Sequence, residues 1–248
     1  MPLLAITRLT LRQFLRSKSL LVVVAIGFFP VIFAILPHFA GQELTLRDLR
    51  RVLGNVIYLG LFAGTLLPLA TLVLSTSALG DEIEDKTLQY LTLKPIARLQ
   101  IVFAKFLAIL IVTIPIILAG LVVTWAVASW GRLDDMRDML PPMLAGAVVG
   151  VLGFGAIFML VSLFIQRALL VGIFYVFIWE TALSRYLPGI RSFSIRHYTQ
   201  STFVRLLDDR AIRLDGVAAL PTIWITIAVI VVVCLALATW RLRSMNLE

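Results

Sequence analysis

The densest group of ionisable side chains runs Gly80-Asp81-Glu82-Ile83-Glu84-Asp85-Lys86-Thr87-Leu88, with four carboxylates in five consecutive positions. Two chemistries are conceivable for such a run. The spacing from Gly80 to Lys86 and Thr87 nearly spells the phosphate-binding loop G-x-x-x-x-G-K-[ST], in which backbone N–H groups cradle a nucleotide. Here Asp85 replaces the second glycine, and carboxylates fill the loop where phosphates would sit, so like charge excludes nucleotide. The other chemistry is recognition of a partner. Glu82 and Lys86 form a favourable i,i+4 pair, acidic residues suit a helix start, and Ile83, Leu88 and Leu91 give a short apolar edge. The run reads as a short amphipathic helix presented to water, followed by a turn at Pro95.

The remaining reactive residue types are scattered. The single cysteine, Cys234, excludes a disulfide framework and any cysteine-based zinc or iron–sulfur site, and it lies in an apolar run. The two histidines, His38 and His197, stand far apart without a motif partner, and Ser75, Ser77 and Ser162 have no nearby base in the sequence. Glu180 is the one acidic residue inside an apolar stretch. Such a carboxylate is a functional candidate that needs a partner, and Arg185 and Arg191 are near in sequence. Glu180 reads either as half of an ion pair tying its helix to the following segment or as a gate or substrate contact. A proton relay would need a second buried carboxylate, which the stretches lack. An intramembrane enzyme, or a lipid-modifying membrane protein working without an ATPase, would need clustered catalytic groups. The chain reads as no enzyme and as holding no metal.

The elements that must position these residues are set by composition. Of 248 residues, 60% are hydrophobic and 15% charged, with a mean hydropathy of +1.01. Soluble domains carry roughly 45–50% apolar and about 25% charged residues, so a soluble enzyme and a disordered chain are both poor fits. The net charge of +8 then describes loops facing anionic lipid rather than a nucleic-acid surface. A helix crossing a bilayer core of about 30 Å needs roughly 20 apolar residues. Six stretches approach this: 20–36, 55–79, 101–125, 143–165, 168–183 and 222–240. They are continuously apolar rather than alternating, which excludes a β-barrel and predicts an all-α membrane protein. The first stretch exceeds the usual leader length of about 7–15 apolar residues and lacks a cleavage-like site, so it reads as a retained span.

Six crossings place both termini on one side. Lys and Arg divide evenly, eleven to each side, six of the second set lying together at Arg185, Arg191, Arg196, Arg205, Arg210 and Arg213. All four lysines fall on the side of the termini, which reads as cytoplasmic. Residues 1–18 read as an interfacial helix, with Arg8, Arg12 and Arg16 every four residues on one face and Leu4, Leu11 and Leu15 near another. Residues 20–79 hold the first two spans, 80–100 the acidic segment, 101–183 the next three spans, 184–221 an outer segment and 222–240 the last span. Within the outer segment, Phe203–Leu207 with Asp208 and Asp209 suggests a short helix capping the mouth. Pro30, Pro68 and Pro115 bend three spans, as hinges or as static kinks. Gly146 and Gly150 form a G-x-x-x-G pair suited to close packing, within one subunit in preference to a dimer interface.

The stretch from Gly80 to Ala108 resembles the signature of ABC-2-type ABC transporter permeases. An acidic stretch precedes a Thr-Leu pair, then apolar residues, a Pro with a nearby basic residue and a Lys opening the third span. Glu82, Glu84, Thr87, Leu88, Leu91, Pro95, Arg98 and Lys105 match, while Ala97 and Ala104 stand where Ser and Gly are common. The resemblance implies that 80–88 is a coupling helix docking into a separate ATP-binding subunit, supported by Pro95, Arg98 and Lys105. It further implies a multi-pass cell-membrane exporter subunit, in a prokaryotic cytoplasmic membrane, working with two ATP-binding subunits that hold ATP and Mg. A second permease copy or a related permease would complete a twelve-span assembly surrounded by lipid.

Overall fold

The computed structural model describes residues 2–39, 45–84, 97–165, 167–183, 194–209, 212, 214 and 216–244. Among these residues all regular structure is helical. The elements are α1 (Pro2–Arg16), α2 (Lys18–Phe28), α3 (Pro30–Phe39), α4 (Leu46–Arg51), α5 (Val52–Leu66), α6 (Leu67–Glu84) and α7 (Arg98–Ala128). They continue with α8 (Asp134–Met139), α9 (Leu140–Phe164), α10 (Ala168–Phe174), α11 (Tyr175–Leu183), α12 (Ile195–Leu207) and α13 (Leu220–Ser244). α5 and α11 are π-helical and α8 is a 3₁₀ turn.

Five stretches among the described residues are long and apolar enough to cross a membrane: Lys18–Leu36, Leu46–Gly80, Arg98–Ala128, Asp134–Phe164 and Leu220–Ser244. They contain four of the six expected stretches whole and a fifth, 143–165, up to Phe164. The remaining one, 168–183, forms α10 and α11 and is a shorter apolar helix. The second span starts at Leu46 rather than near 55, because the charged turn Leu-Arg-Asp-Leu-Arg-Arg is itself helical, capped where Thr45 Oγ1 accepts from the Asp48 N–H at 3.3 Å. Pro30 breaks the first span into α2 and α3, and Pro68 falls at the change from π to α helix. Pro115 leaves α7 continuous.

Helix α9 is the hub. From Gly146 to Leu163 most of its residues are buried, against α6, α7, α12 and α13. By contrast α2, α3 and α13 leave Leu21, Phe28, Ile32, Ile225, Val229 and Val232 exposed, as an apolar solvent requires. One face of the bundle, called here the terminal face, gathers α1, the start of α7 and the end of α13. Arg98 Nη1 donates to the Leu242 carbonyl at 3.5 Å, and Thr7 Oγ1 donates to the Ala104 carbonyl at 3.4 Å.

Two expectations are refined. Helix α1 is helical with Arg8, Arg12 and Arg16 exposed, and Leu4 and Leu15 lie on the surface of the chain as an interfacial helix requires. Its packed stripe is Ile6, Thr7, Thr10 and Phe14, laid on α7. Threonines can face inward because Thr7 and Thr10 donate to the carbonyls of Leu3 and Ile6 in their own helix. The second change concerns the segment before the last span. The helix there begins at Ile195, not near Phe203, and packs along α9 instead of lying over its end.

Candidate functional site

Three places in the bundle combine polar chemistry with a mechanical position. At the terminal face, α6 runs without a break from Leu67 through Gly80, Asp81, Glu82, Ile83 and Glu84. The first half of the acidic run is thus a continuation of the second span, not the opening turn of a separate helix. The side chains of Asp81 to Glu84, and all of Asp85, Lys86, Thr87, Leu88 and Pro95, lie outside the described residues. Beneath this end, the fully buried Lys105 of α7 donates from Nζ to the Ala78 carbonyl of α6 at 2.6 Å. A buried ammonium is costly unless it is hydrogen-bonded, so the bond fixes α7 against α6 close to where α6 leaves the bundle. Gly80 is half-buried beside Ser162 of α9. Ser77 and Ser19 hydroxyls meet at 2.9 Å, tying α2 to the same end. Arg98, at the first turn of α7, reaches α13, and Arg241 of α13 stacks 5.1 Å over the Phe164 ring of α9. Arg98 and Lys105 are therefore brought to one joint; Pro95 falls in the stretch without description.

In the interior, α12 inserts a polar sequence, His-Tyr-Thr-Gln-Ser-Thr, between α5 and α9. Ser194 caps it by accepting from the His197 N–H at 3.3 Å. Gln200 Nε2 donates to the Leu59 carbonyl of α5 at 2.8 Å, and Tyr58 Oη donates to the Met143 carbonyl of α9 at 2.9 Å. Phe203 packs on the Tyr58 ring with centroids 4.4 Å apart. His197, expected outside the spans, is buried within this helix. Gly146 and Gly150 make the close approach possible. A Cβ on Gly146 would overlap Tyr58 Oη and sit 2.8 Å from the Thr199 carbonyl oxygen. The G-x-x-x-G pair serves packing within the chain.

At the opposite face, Arg50 gathers three elements. Its Nε donates to Asp209 at 3.1 Å, its Nη1 to Asp138 Oδ1 at 3.1 Å and to the Asp135 carbonyl at 3.2 Å, and its Nη2 to Asp138 Oδ2. The turn after α12 and the α8 loop are thus clamped to the head of the second span. Sequence reasoning does not single out Arg50, because nothing in its spacing connects it to residues so distant along the chain. Glu180 lies in α11, but its side chain and all of Arg185 are outside the described residues, as is the side chain of His38. No group of three or more potential metal ligands occurs among the described residues.

None of these sites arranges a nucleophile with a base. They arrange joints: a lysine-pinned lever at one face, a buried polar helix inside, and an arginine clamp at the other face. No curated protein matches the chain. The family described as ABC-2 family transporter protein matches residues 4–247, from the first helix to beyond the last. With that match extending over nearly its whole length and with several apolar helices of membrane-crossing size, the chain belongs to the ABC-2 transporter family, as a multi-pass permease subunit that partners an ABC ATP-binding subunit.

Proposed function

We propose that this permease is the membrane half of an ATP-driven exporter in a prokaryotic cytoplasmic membrane, with both termini in the cytoplasm. Two ATP-binding subunits dock on residues 80–88 and carry the ATP and Mg, while this chain binds neither. A second copy of the chain, or a related permease, supplies the other half of the assembly, and substrate moves between the halves. The observation that supports the docking role is the continuity of α6 from the buried core to Glu84, with Lys105 locking it to α7 beside its exit. A rigid helix gripped this way transmits a displacement at its tip as a rigid-body movement of two spans. A connector free of such a grip would dissipate the same push locally.

The test is charge reversal at Glu82 and Glu84 together, in the chain purified with its ABC ATP-binding subunit. Insertion and expression should match the parent, while transport and its link to ATP hydrolysis are lost. Normal transport by the double variant would remove residues 80–88 from the docking role. Turnover of a lipid or peptide by the chain alone, indifferent to any ATPase, would remove the exporter reading altogether.

A further inference from the structure

Arg241 differs from the exposed cations of the terminal face. It lies in the last turn of α13 and is half-buried, with Cζ 5.1 Å over the Phe164 ring at the end of the hub helix. Its Nε is enclosed and finds no acceptor among the described residues. Nη1 and Nη2 find none either, yet they are not enclosed, so the outer end of the guanidinium opens to the surroundings. The helices that meet here, α7, α9 and α13, carry no acidic residue from end to end. A second cation adds to the charge: Arg98 reaches the carbonyl of Leu242, the next residue along, at 3.5 Å. A partly enclosed charge with an N–H left unpaired costs free energy that these helices do not offset.

The surface around the guanidinium is apolar. Trp240 precedes it, Leu237 and Val233 lie one and two turns back on the same side of α13, and Phe164 and Ile165 end α9; all are exposed. Tryptophan and arginine at the end of a span mark the head-group layer, and the apolar residues behind them meet the tails. The stripe therefore runs from the cation into the membrane, which matches a molecule with an anionic head and an apolar body. The ring of Phe164 holds the guanidinium plane, and its two open Nη groups form a fork that suits two oxygens of one phosphate. Basic pockets between spans take anionic head groups in this way. The site is also mechanically placed, because α13 is the least enclosed of the five long spans among the described residues.

We propose that Arg241, seated on Phe164 and flanked by Arg98, binds the phosphate of an anionic phospholipid whose chain lies along Leu237 and Val233. The bound lipid fastens the end of the last span to the hub helix. This goes beyond the permease reading and depends on neither the ATPase nor the transported substrate.

The test uses the full chain purified in dodecyl maltoside and titrated with dioleoylphosphatidylglycerol, dioleoylphosphatidylcholine or inorganic phosphate. Binding is read by native mass spectrometry and folding by thermal unfolding. The parent should prefer phosphatidylglycerol and unfold at a higher temperature in its presence. Loss of a charged hydrogen-bond donor corresponds to about tenfold or more in affinity. Arg241→Gln should therefore weaken phosphatidylglycerol at least tenfold and leave phosphatidylcholine unchanged. Arg241→Lys keeps the charge without the fork and should weaken the anionic lipid severalfold. Arg243→Gln removes the same charge from an exposed position two residues away, and should cost no more than about twofold, as for a screened surface charge. Equal losses in Arg241→Gln and Arg243→Gln would mean a diffuse basic surface and overturn the site, as would a parent without preference for the anionic lipid. Stabilisation by inorganic phosphate equal to that by phosphatidylglycerol overturns the lipid assignment in favour of a soluble anion. Should Arg241→Gln fail to fold, unaltered phosphatidylglycerol binding by folded Arg241→Lys overturns the proposal. If Arg241→Gln keeps its lipid but no longer retains the ATP-binding subunit, Arg241 belongs to a protein interface and the proposal is likewise overturned.

Discussion

Arg50 illustrates how exposure ranks bonds of similar geometry. It holds Asp138 through two nitrogens and Asp209 through one, yet the Asp138 side chain is 54% exposed and that of Asp209 only 21%. Water and salt screen the exposed pair, which puts it in the range of about 0.2–1 kcal/mol measured for surface ion pairs. The more enclosed bond to Asp209 also fixes the end of α12, and losing a charged bond there costs about 1–3 kcal/mol. Asp209→Asn should therefore lower the thermal stability of the detergent-solubilised chain more than Asp138→Asn, with Arg50→Ala at least as damaging as either. The reverse order would mean that the two-nitrogen geometry outweighs screening. No sequence pattern announces this clamp, since its members are joined only by the fold. Lys105 is different: a lone lysine opening an apolar run is visible in the sequence, and only its acceptor, the Ala78 carbonyl, required the structure.

At the level of helices, hydropathy located nearly every long element, because a membrane-crossing helix must be apolar along its length. It misplaced α12 for a physical reason. Its hydroxyls are satisfied locally, Thr199 donating to the Ile195 carbonyl at 3.1 Å and Thr202 to that of Tyr198 at 2.8 Å, so a polar sequence can be buried at small cost. Polarity in the sequence measured the side chains, not their unsatisfied bonds. The glycines of α9 provide the corresponding test. A methyl on Gly146 meets Tyr58 Oη and the Thr199 backbone, which cannot yield easily, whereas on Gly155 its nearest neighbour is Phe106 Cε2 at 3.6 Å, an ordinary contact. Gly146→Ala should cost about 1–3 kcal/mol as an overpacked site. Gly155→Ala should be neutral, or gain up to about 1 kcal/mol from helix propensity. Thermal unfolding of the pair would refute the packing of α12 against α9 if Gly146→Ala were the milder change.

For the whole molecule, the parity of crossings decides which partner can reach the acidic lever. Five long spans alone would leave α1 and the end of α13 on opposite faces, yet Arg98 at the start of α7 bonds Leu242, and α1 packs on α7. The missing crossing is divided: α10 packs on the terminal half of the hub helix and on α6, α11 continues from it against α5, and α12 follows the hub's other half toward Asp209 and Arg50. This division also explains why residues 168–183 look short for a span. The arrangement is checked by single cysteines introduced into Cys234→Ala. Arg16→Cys, at the end of α1, and Arg243→Cys, in the last turn of α13, should behave alike toward a membrane-impermeant maleimide applied to spheroplasts. Asp135→Cys, exposed on the α8 loop, should behave oppositely. With the termini in the cytoplasm, only Asp135→Cys reacts before the membrane is opened. If Arg16→Cys and Arg243→Cys differ, the divided crossing is wrong and α12 does not complete it. If both react from outside while Asp135→Cys is protected, the crossings stand but Asp81–Glu84 face the exterior, where no cytoplasmic ATPase can push them.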